Sequence, residues 1–331
     1  MIKVGLLGAG RIAGVHAKAI SNHPQSNLAA VADVNNAAAA KIANSYGCEV
    51  KEIEEILCDQ SITAVLIATS TNTHSELLER ATAAGKAVLC EKPVDLDLAR
   101  ARECQSQIRK NGLPVMIGFN RRFDPNFSAL RNALVGGEIG KPELLSITSF
   151  DPAPPPIEYV KSSGGLFKDM MIHDFDMANF IMGEIPETIS AFGTSIINPE
   201  IREVGDIDTA LVTMQYADGK LAIIKNSRRA SYGYDQRLEL LGSDGLLQAQ
   251  NMLENTILKS TDKGVLGAKP TYFFLERYMT AFIAEWGAFM EVVLENKTIP
   301  VTMDDGVIAL AMAEAATTSL SKSTLIQLSE I

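Results

Sequence analysis

The sequence predicts an α/β chain of two domains, a doubly wound parallel domain followed by an α+β domain with a mostly antiparallel sheet. Short apolar runs alternate with helical patterns over residues 1–120, and hairpin signals between longer strands mark the region from 121 onward. The length of 331 residues is long for one hydrophobic core and fits two. The domains so drawn are 1–120 and 121–331.

In the first domain, strands are expected at Ile2 to Leu7, Leu28 to Ala32, Ala64 to Ala68, Ala87 to Cys90 and Val115 to Phe119. Helices begin near Arg11, Asn36, His74 and Asp95, each polar or small enough at its start to cap. The first strand runs directly into Gly8-Ala9-Gly10-Arg11-Ile12-Ala13-Gly14, a GxGxxG/A pattern with Ala13 in the third position. The first glycine permits a tight turn, the second lets a pyrophosphate approach the backbone, and the small third residue permits close helix packing. Strand before and helix after give this otherwise weak pattern its meaning, that of a dinucleotide-binding Rossmann domain. Gly8, Gly10, Arg11 and Ile12 are its candidate cofactor contacts.

Asp33 closes the second strand ~20 residues further on, where a carboxylate accepts hydrogen bonds from adenosine ribose hydroxyls. A carboxylate repels a 2′-phosphate, and Val34, Asn35 and Asn36 offer no cation to hold one, so NAD is favoured over NADP. The bland reading of Asp33 is a cap on the next helix. Ser70, Asn72 and His74, after the strand Ala64 to Ala68, could contact ribose or nicotinamide, while Thr73 or Asn72 could equally be a helix cap. In Cys90-Glu91-Lys92-Pro93, the proline restricts Lys92 to extended geometry and aims its ammonium at the edge of the ligand crevice. A lysine desolvated near a cationic nicotinamide titrates closer to neutrality and can assist proton transfer at a hydroxyl; the alternative is a surface lysine at a turn.

Early in the second domain, Asp151-Pro152-Ala153-Pro154-Pro155-Pro156 is too proline-rich for a central strand and reads as a rigid loop. After it, Gly164 to Asp176 places Asp169 and His173 four residues apart on an expected helix, with Asp176 on the same stripe. A carboxylate beside an imidazole fixes its tautomer and stabilises its protonated form, which suits a general base for an alcohol or water proton. Hairpins are expected where Asp208 to Tyr216 and Lys220 to Asn226 flank Ala217-Asp218-Gly219, and where Gln236 to Leu241 and Leu246 to Gln250 flank Gly242 to Gly245. Late helices at about Thr271 to Glu295 and Asp304 to Ser321 have apolar faces, and the aromatics of the first, from Phe273 to Phe289, fit core or subunit contact better than a ligand box.

A net charge of -10, with no basic cluster longer than Arg121-Arg122 or Arg228-Arg229, argues against nucleic-acid binding. No apolar run approaches the ~20 residues of a membrane span, and the N-terminus lacks a secretion signal, so a cytoplasmic location is expected. Cys48, Cys58, Cys90 and Cys104 show no CxxC spacing and only four histidines are available, so reduced thiols and no metal site are expected.

Together the Gly8-Ala9-Gly10 loop, Glu91-Lys92-Pro93, the run Gly118 to Pro125 and the Asp169, His173 segment resemble the Gfo/Idh/MocA oxidoreductase family over essentially the whole chain. Within it, Gly164 to Met177 and Tyr232 to Arg237 look most similar to the inositol 2-dehydrogenases. The resemblance implies a Rossmann domain followed by a domain whose large open sheet mediates oligomerisation, with a homotetramer as the expected assembly. Carried onto this sequence, it makes Lys92, Asp169 and His173 the catalytic lysine, aspartate and histidine. His173 would remove the hydroxyl proton while hydride passes to NAD, Asp169 would orient His173, and Lys92 would bridge substrate and cofactor. A polyol offers many hydroxyls and no charge, so its site needs alternating donors and acceptors. Arg122, Asp151, Asp176 and Tyr234 are the candidates beside the catalytic three, with Tyr232 and Gln236 behind them; ordinary packing beside a sheet is the rival reading for either tyrosine. Other functions compatible with the residues are a sugar dehydrogenase, a keto-inositol reductase, an NAD-assisted glycoside hydrolase, or a non-catalytic NAD-binding sensor.

Overall fold

Six parallel strands form the first sheet of the computed structural model, which describes residues 1–330; Ile331, the last residue of the second domain as drawn from sequence, lies outside them. Packing divides the chain into two units, Met1–Phe123 with Met279–Leu310, and Asp124–Tyr278 with Ala311–Ile331 as its outer limits. The chain thus returns to the first unit late in its course, which a single cut after residue 120 does not describe.

The first unit runs β1 (Ile2–Leu7), α1 (Arg11–Asn22), β2 (Ser26–Ala32), α2 (Asn36–Tyr46), β3 (Glu49–Val50), α3 (Ile53–Cys58), β4 (Ile62–Ile67), α4 (His74–Ala83), β5 (Ala87–Glu91), α5 (Leu98–Asn111) and β6 (Val115–Gly118). The strand order is β3-β2-β1-β4-β5-β6, all parallel, so the order reverses beside β1 and leaves the loops after β1 and β4 at the switch point. Near-continuous burial of β4 and β5 is what a sheet covered on both faces requires. Part of that cover comes from the late segment, where the Trp286 indole N–H donates to Ser26 Oγ at 3.0 Å and Phe282 sets its ring edge to His16 at 5.3 Å. Burying an aromatic such as Trp286, 1% exposed, stabilises a fold by about 1.5–3 kcal/mol.

The second unit begins with α6 (Pro125–Val135) and continues with β7 (Pro142–Phe150), α7 (Ile157–Ser163), α8 (Ile172–Met182), β8 (Thr188–Thr194), α9 (Pro199–Glu203), β9 (Thr209–Gln215), β10 (Leu221–Ser227), β11 (Asp235–Gly242) and β12 (Gly245–Ala249). A short ribbon of β13 (Lys259–Thr261) and β14 (Gly264–Leu266) precedes α10 (Phe274–Glu295), α11 (Met303–Lys322) and β15 (Ile326–Gln327). Asp124 starts α6 by accepting from Asn126 N at 3.0 Å and Phe127 N at 3.2 Å, with Pro125 in the first turn; the same buried carboxylate pairs with Arg277.

Seven strands make the second sheet, in the order β12-β11-β7-β10-β9-β8-β15. Both expected hairpins are present, β9 with β10 and β11 with β12. Only β7 and β10 pair in parallel, so the sheet is mixed and mostly antiparallel. One face is packed and the other is open, which β9 shows by burying Ala210, Val212 and Met214 while exposing Leu211, Thr213 and Gln215. Under the packed face, Asp174 of α8 accepts from Ser149 Oγ of β7 at 2.6 Å and from Asn226 Nδ2 of β10 at 2.8 Å, and Ser149 reaches Gln236 Oε1 of β11 at 2.9 Å. One helix residue therefore pins α8 to two strands, and Ser149 carries the link on to β11. Asp151–Pro156 has no regular structure, as its prolines demand.

Candidate active site

In the first unit the candidate residues line up at the carboxyl ends of β1, β2, β4 and β5. Gly8 has φ of +104°, and a Cβ there would lie 2.4 Å from the Ala68 carbonyl oxygen at the end of β4; only glycine fits this turn. Gly10 has open space where a Cβ would be, and it precedes α1 without any side-chain cap. The first amides of α1 are thus left for a ligand, and Arg11 is exposed and Ile12 half-buried beside them. An uncapped helix start behind a glycine turn fits the pyrophosphate of a dinucleotide.

Asp33 is half-buried, and its two oxygens accept from Ala9 N at 2.6 Å and Asn35 N at 2.7 Å. The cap of α2 is Asn35, which accepts from Ala37 N and Ala38 N, so Asp33 is tied to the glycine loop and not to the helix. Ser70 and Asn72 are exposed around a short 3-10 turn, Thr71–Thr73. Neither Asn72 nor Thr73 caps α4; Thr73 bonds the Ser70 carbonyl and Thr69 instead. His74 is 1% exposed, with Nδ1 at 2.8 Å from Pro93 O and Nε2 at 3.1 Å from Thr69 O. Burial pushes its pKa down, and a neutral ring donates to only one carbonyl. His74 therefore braces the loop after β4 against Pro93.

Glu91 is also turned inward, 7% exposed, with Oε1 at 2.7 Å from His16 Nε2 and Oε2 accepting from Lys92 N at 3.2 Å. Burial alone would raise its carboxyl, but His16 and the Lys92 charge outweigh burial and hold it below the usual range. Glu91 is then a carboxylate, so His16 Nε2 donates to it. Lys92 itself is half-exposed and sits before a cis peptide bond to Pro93. Arg122 Nη2 pairs with Asp305 at 2.9 Å and Nη1 donates to Pro300 O at 3.2 Å, so its guanidinium is engaged within the first unit.

In the second unit, Asp169 lies on a turn of π-helix, Phe167–Met171, and His173 follows at the start of α8. The sequence spacing implies an uninterrupted α-helix; the structure instead has a π turn at Asp169, a wider turn that recurs at functional sites. Tyr159 Oη donates to Asp169 Oδ1 at 2.8 Å, and Arg228 Nη2 stands 3.7 Å from Oδ2. Asp176 is 1% exposed, Tyr234 5%, and Tyr234 meets Tyr278 edge to face at 6.0 Å. Asp151 is half-buried, its amide bonded to Ser227 O and its carbonyl accepting from Ala230 N. Tyr232 donates to Asp235 at 2.6 Å.

Tyr159, Arg228 and His16 were not found from sequence. The signals were periodicities: Ala222, Ile224, Asn226 and Arg228 alternate on the buried side of β10 and its continuation, and Ala13, His16, Ala17 and Ile20 share the buried stripe of α1. Among the described residues, no group of three or more His, Cys, Asp or Glu side chains could hold a metal ion, and no helix is long and apolar enough to cross a membrane.

The profile of the "Oxidoreductase family, NAD-binding Rossmann fold" matches residues 2–119, and that of the "GFO/IDH/MocA C-terminal domain" matches residues 127–248. The chain is 47% identical over 321 residues to an inositol 2-dehydrogenase of Rhizobium meliloti strain 1021, covering 97% of each protein. It is 42% identical over 332 residues to a myo-inositol 2-dehydrogenase of Thermotoga maritima, covering 100% of this chain and 99% of that one. Among solved structures, a scyllo-inositol dehydrogenase from Lactobacillus casei with bound NAD(H) and scyllo-inositol superposes with a TM-score of 0.92 at 31% identity, covering 99% of both chains. With its dinucleotide loop, its doubly wound sheet and full-length similarity of this degree, the chain belongs to the Gfo/Idh/MocA family of NAD-binding oxidoreductases.

Proposed function

We propose that the protein oxidises one hydroxyl of a cyclic polyol, myo-inositol or a stereoisomer, to the keto-inositol, with NAD as hydride acceptor. The observation that carries this reading is the segment from Gly165 to His173, in which a π turn holds Asp169 in a hydrogen bond with Tyr159 and delivers His173 one turn later. The names of its relatives, and a structural neighbour with an inositol bound, support the substrate class.

When bound, NAD supplies the oxidant by accepting the hydride from the carbinol carbon. His173 takes the hydroxyl proton, so the alcohol loses one hydride and one proton and becomes a ketone. Asp169 orients the imidazole and favours its protonated form. Lys92 donates a hydrogen bond to the oxygen as charge grows on it. Gly8, Gly10, Arg11, Ile12, Asp33, Ser70 and Asn72 would hold the dinucleotide; Glu91 and His74 keep the Lys92 loop in shape. Asp151, Asp176 and Tyr234 read the remaining hydroxyls. We also infer a cytoplasmic enzyme, in keeping with its four free cysteines. Self-association into a tetramer is supported by the open sheet face, which exposes Phe192 by 67% and Leu221 by 49%; light scattering of the purified protein tests it.

The test of the activity is NAD and NADP reduction with a panel of inositol stereoisomers, aldoses and glycosides. NADH formation with an inositol is expected. Turnover confined to aldoses would move the substrate class, and no turnover with any polyol would remove the proposal.

A further inference from the structure

Arg228 is 1% exposed, and its Nε and Nη2 have no hydrogen-bond acceptor among the described residues. A guanidinium stays charged even when buried, and orphaned N–H groups in a protein interior require an explanation. Its counter-charges are two carboxylates at nearly equal distance, Asp169 Oδ2 at 3.7 Å and Asp206 Oδ2 at 3.8 Å from Nη2. Both contacts are ionic rather than hydrogen-bonded. The backbone of Arg228 is fixed too, its amide donating to Asp208 O at 2.8 Å.

Asp206 connects back to the same segment. Its Oδ1 accepts from Leu166 N at 3.0 Å, and a Cβ on Gly165, whose φ is +81°, would lie 2.7 Å from that oxygen. Arg228 and Asp206 thus grip both ends of the stretch from Gly165 to Asp169. Because an unpaired buried cation is expensive, an arginine here is costly unless both carboxylates stay ionised and in place.

We propose that Arg228 is a positioning residue for the proton-transfer pair, its buried charge fixing Asp169 as an oriented carboxylate and Asp206 sharing that charge to set how strongly Asp169 acts on His173. This rests on the reading of His173 as the base. Tyr159 from α7 donates to one Asp169 oxygen and Arg228, beyond the end of β10, stands against the other; Asp206, from the loop before β9, shares the Arg228 charge, and on the segment of Asp169 itself Lys168 pairs at 2.8 Å with Glu314 of α11 and His173 follows one turn on. Of these, Arg228 brings the positive charge and Asp206 the second negative one. A nearby anion raises the pH at which an imidazole gives up its proton, and a nearby cation lowers it. The two residues therefore act on His173 with opposite sign.

The experiment is the pH profile of kcat/KM for polyol oxidation in wild type, Arg228→Met, Arg228→Lys and Asp206→Asn, with the NAD dissociation constant measured beside it. Arg228→Met should move the acid limb to higher pH by about one unit, a tenfold loss of rate below it, while NAD affinity stays within about twofold. Arg228→Lys keeps the charge and should return most of that shift. Asp206→Asn keeps an acceptor for Leu166 N but removes a negative charge, and should move the limb to lower pH. If Arg228→Met does not fold, the lysine and asparagine variants carry the test by themselves. Acid limbs that stay at the wild-type position, or that move in the same direction in both Arg228→Met and Asp206→Asn, would overturn the proposal. A wild-type profile with no acid limb, or one that persists without His173, would instead remove the base assignment on which it rests.

Discussion

Asp33 Oδ2 accepts the Ala9 amide at 2.6 Å, so the carboxylate at the end of β2 is fastened to the loop after β1. That bond places a negative charge beside the uncapped start of α1 without spending it on the cap of α2, which Asn35 provides. It follows that Asp33→Ser should narrow the preference for NAD over NADP, chiefly through a lower KM for NADP. Steady-state kinetics with both cofactors checks this, and an unchanged ratio would reduce Asp33 to a brace of the glycine loop.

Glu285 of α10 carries a different expectation. It is fully buried, neither oxygen has a hydrogen-bond partner among the described residues, and burial, with the Glu91 charge added, pushes its pKa well above 4.5. A folded value above the unfolded one means the native state holds an extra proton between them. Stability from this group is therefore complete below the unfolded value and declines as pH rises toward the folded one. Glu285→Gln should match wild type near about pH 5 and exceed it increasingly toward about pH 8, at roughly 2–4 °C of Tm per kcal/mol. Thermal melts across that range decide it; a gap that does not change with pH would mean that Glu285 stays ionised in the fold.

Asp208 gives the opposite limb. Burial would raise its carboxyl, but the amides of Ile197, Asn198 and Ile196, at 2.7 to 3.1 Å, outweigh burial and lower it. A depressed folded value contributes stability that is present above the unfolded value and lost as pH falls through the folded one. Asp208→Asn should lower Tm at neutral pH and lose less on acidification than wild type does. Melts that fall in parallel for the two proteins would contradict this.

The cysteines separate by burial. Cys58 is exposed, Cys48 is half-buried with its thiol raised by that burial, and Cys90 and Cys104 are buried, with burial pushing Cys104 up to about 12. Thiolates are the reactive form, so alkylation of the native protein should mark Cys58 first, Cys48 slowly, and Cys90 and Cys104 only after unfolding. Peptide mapping by mass spectrometry reads this out, and early labelling of Cys90 would contradict the packing around β5.

What was legible in the sequence was what local chemistry dictates. The glycine loop, the strands β1, β4 and β5 and the two hairpins follow from period, turn residues and apolar runs, which act over a few neighbours. The strand β7 was missed because Pro142 to Phe150 mixes apolar and hydroxyl residues, and its pairing with β10 in parallel joins segments about 75 residues apart. The π turn under Asp169 was missed because nothing in Phe167 to Met171 distinguishes a wider turn from a regular one. Glu91 and His74 lie within the right motifs, yet their side chains turn inward to His16, Pro93 and Thr69, partners that only the folded sheet brings near. Arg228 entered the sequence reading only as half of the short basic pair Arg228-Arg229, although strand alternation from Ala222 puts it on the buried side.

The most direct test of the account is His173→Ala, assayed for NAD binding by titration and for polyol oxidation by NADH formation. The account predicts NAD affinity within about twofold of wild type and a loss of turnover of about 10²–10⁴-fold, the usual contribution of a general base. Turnover near the wild-type rate in a variant that binds NAD normally would contradict it.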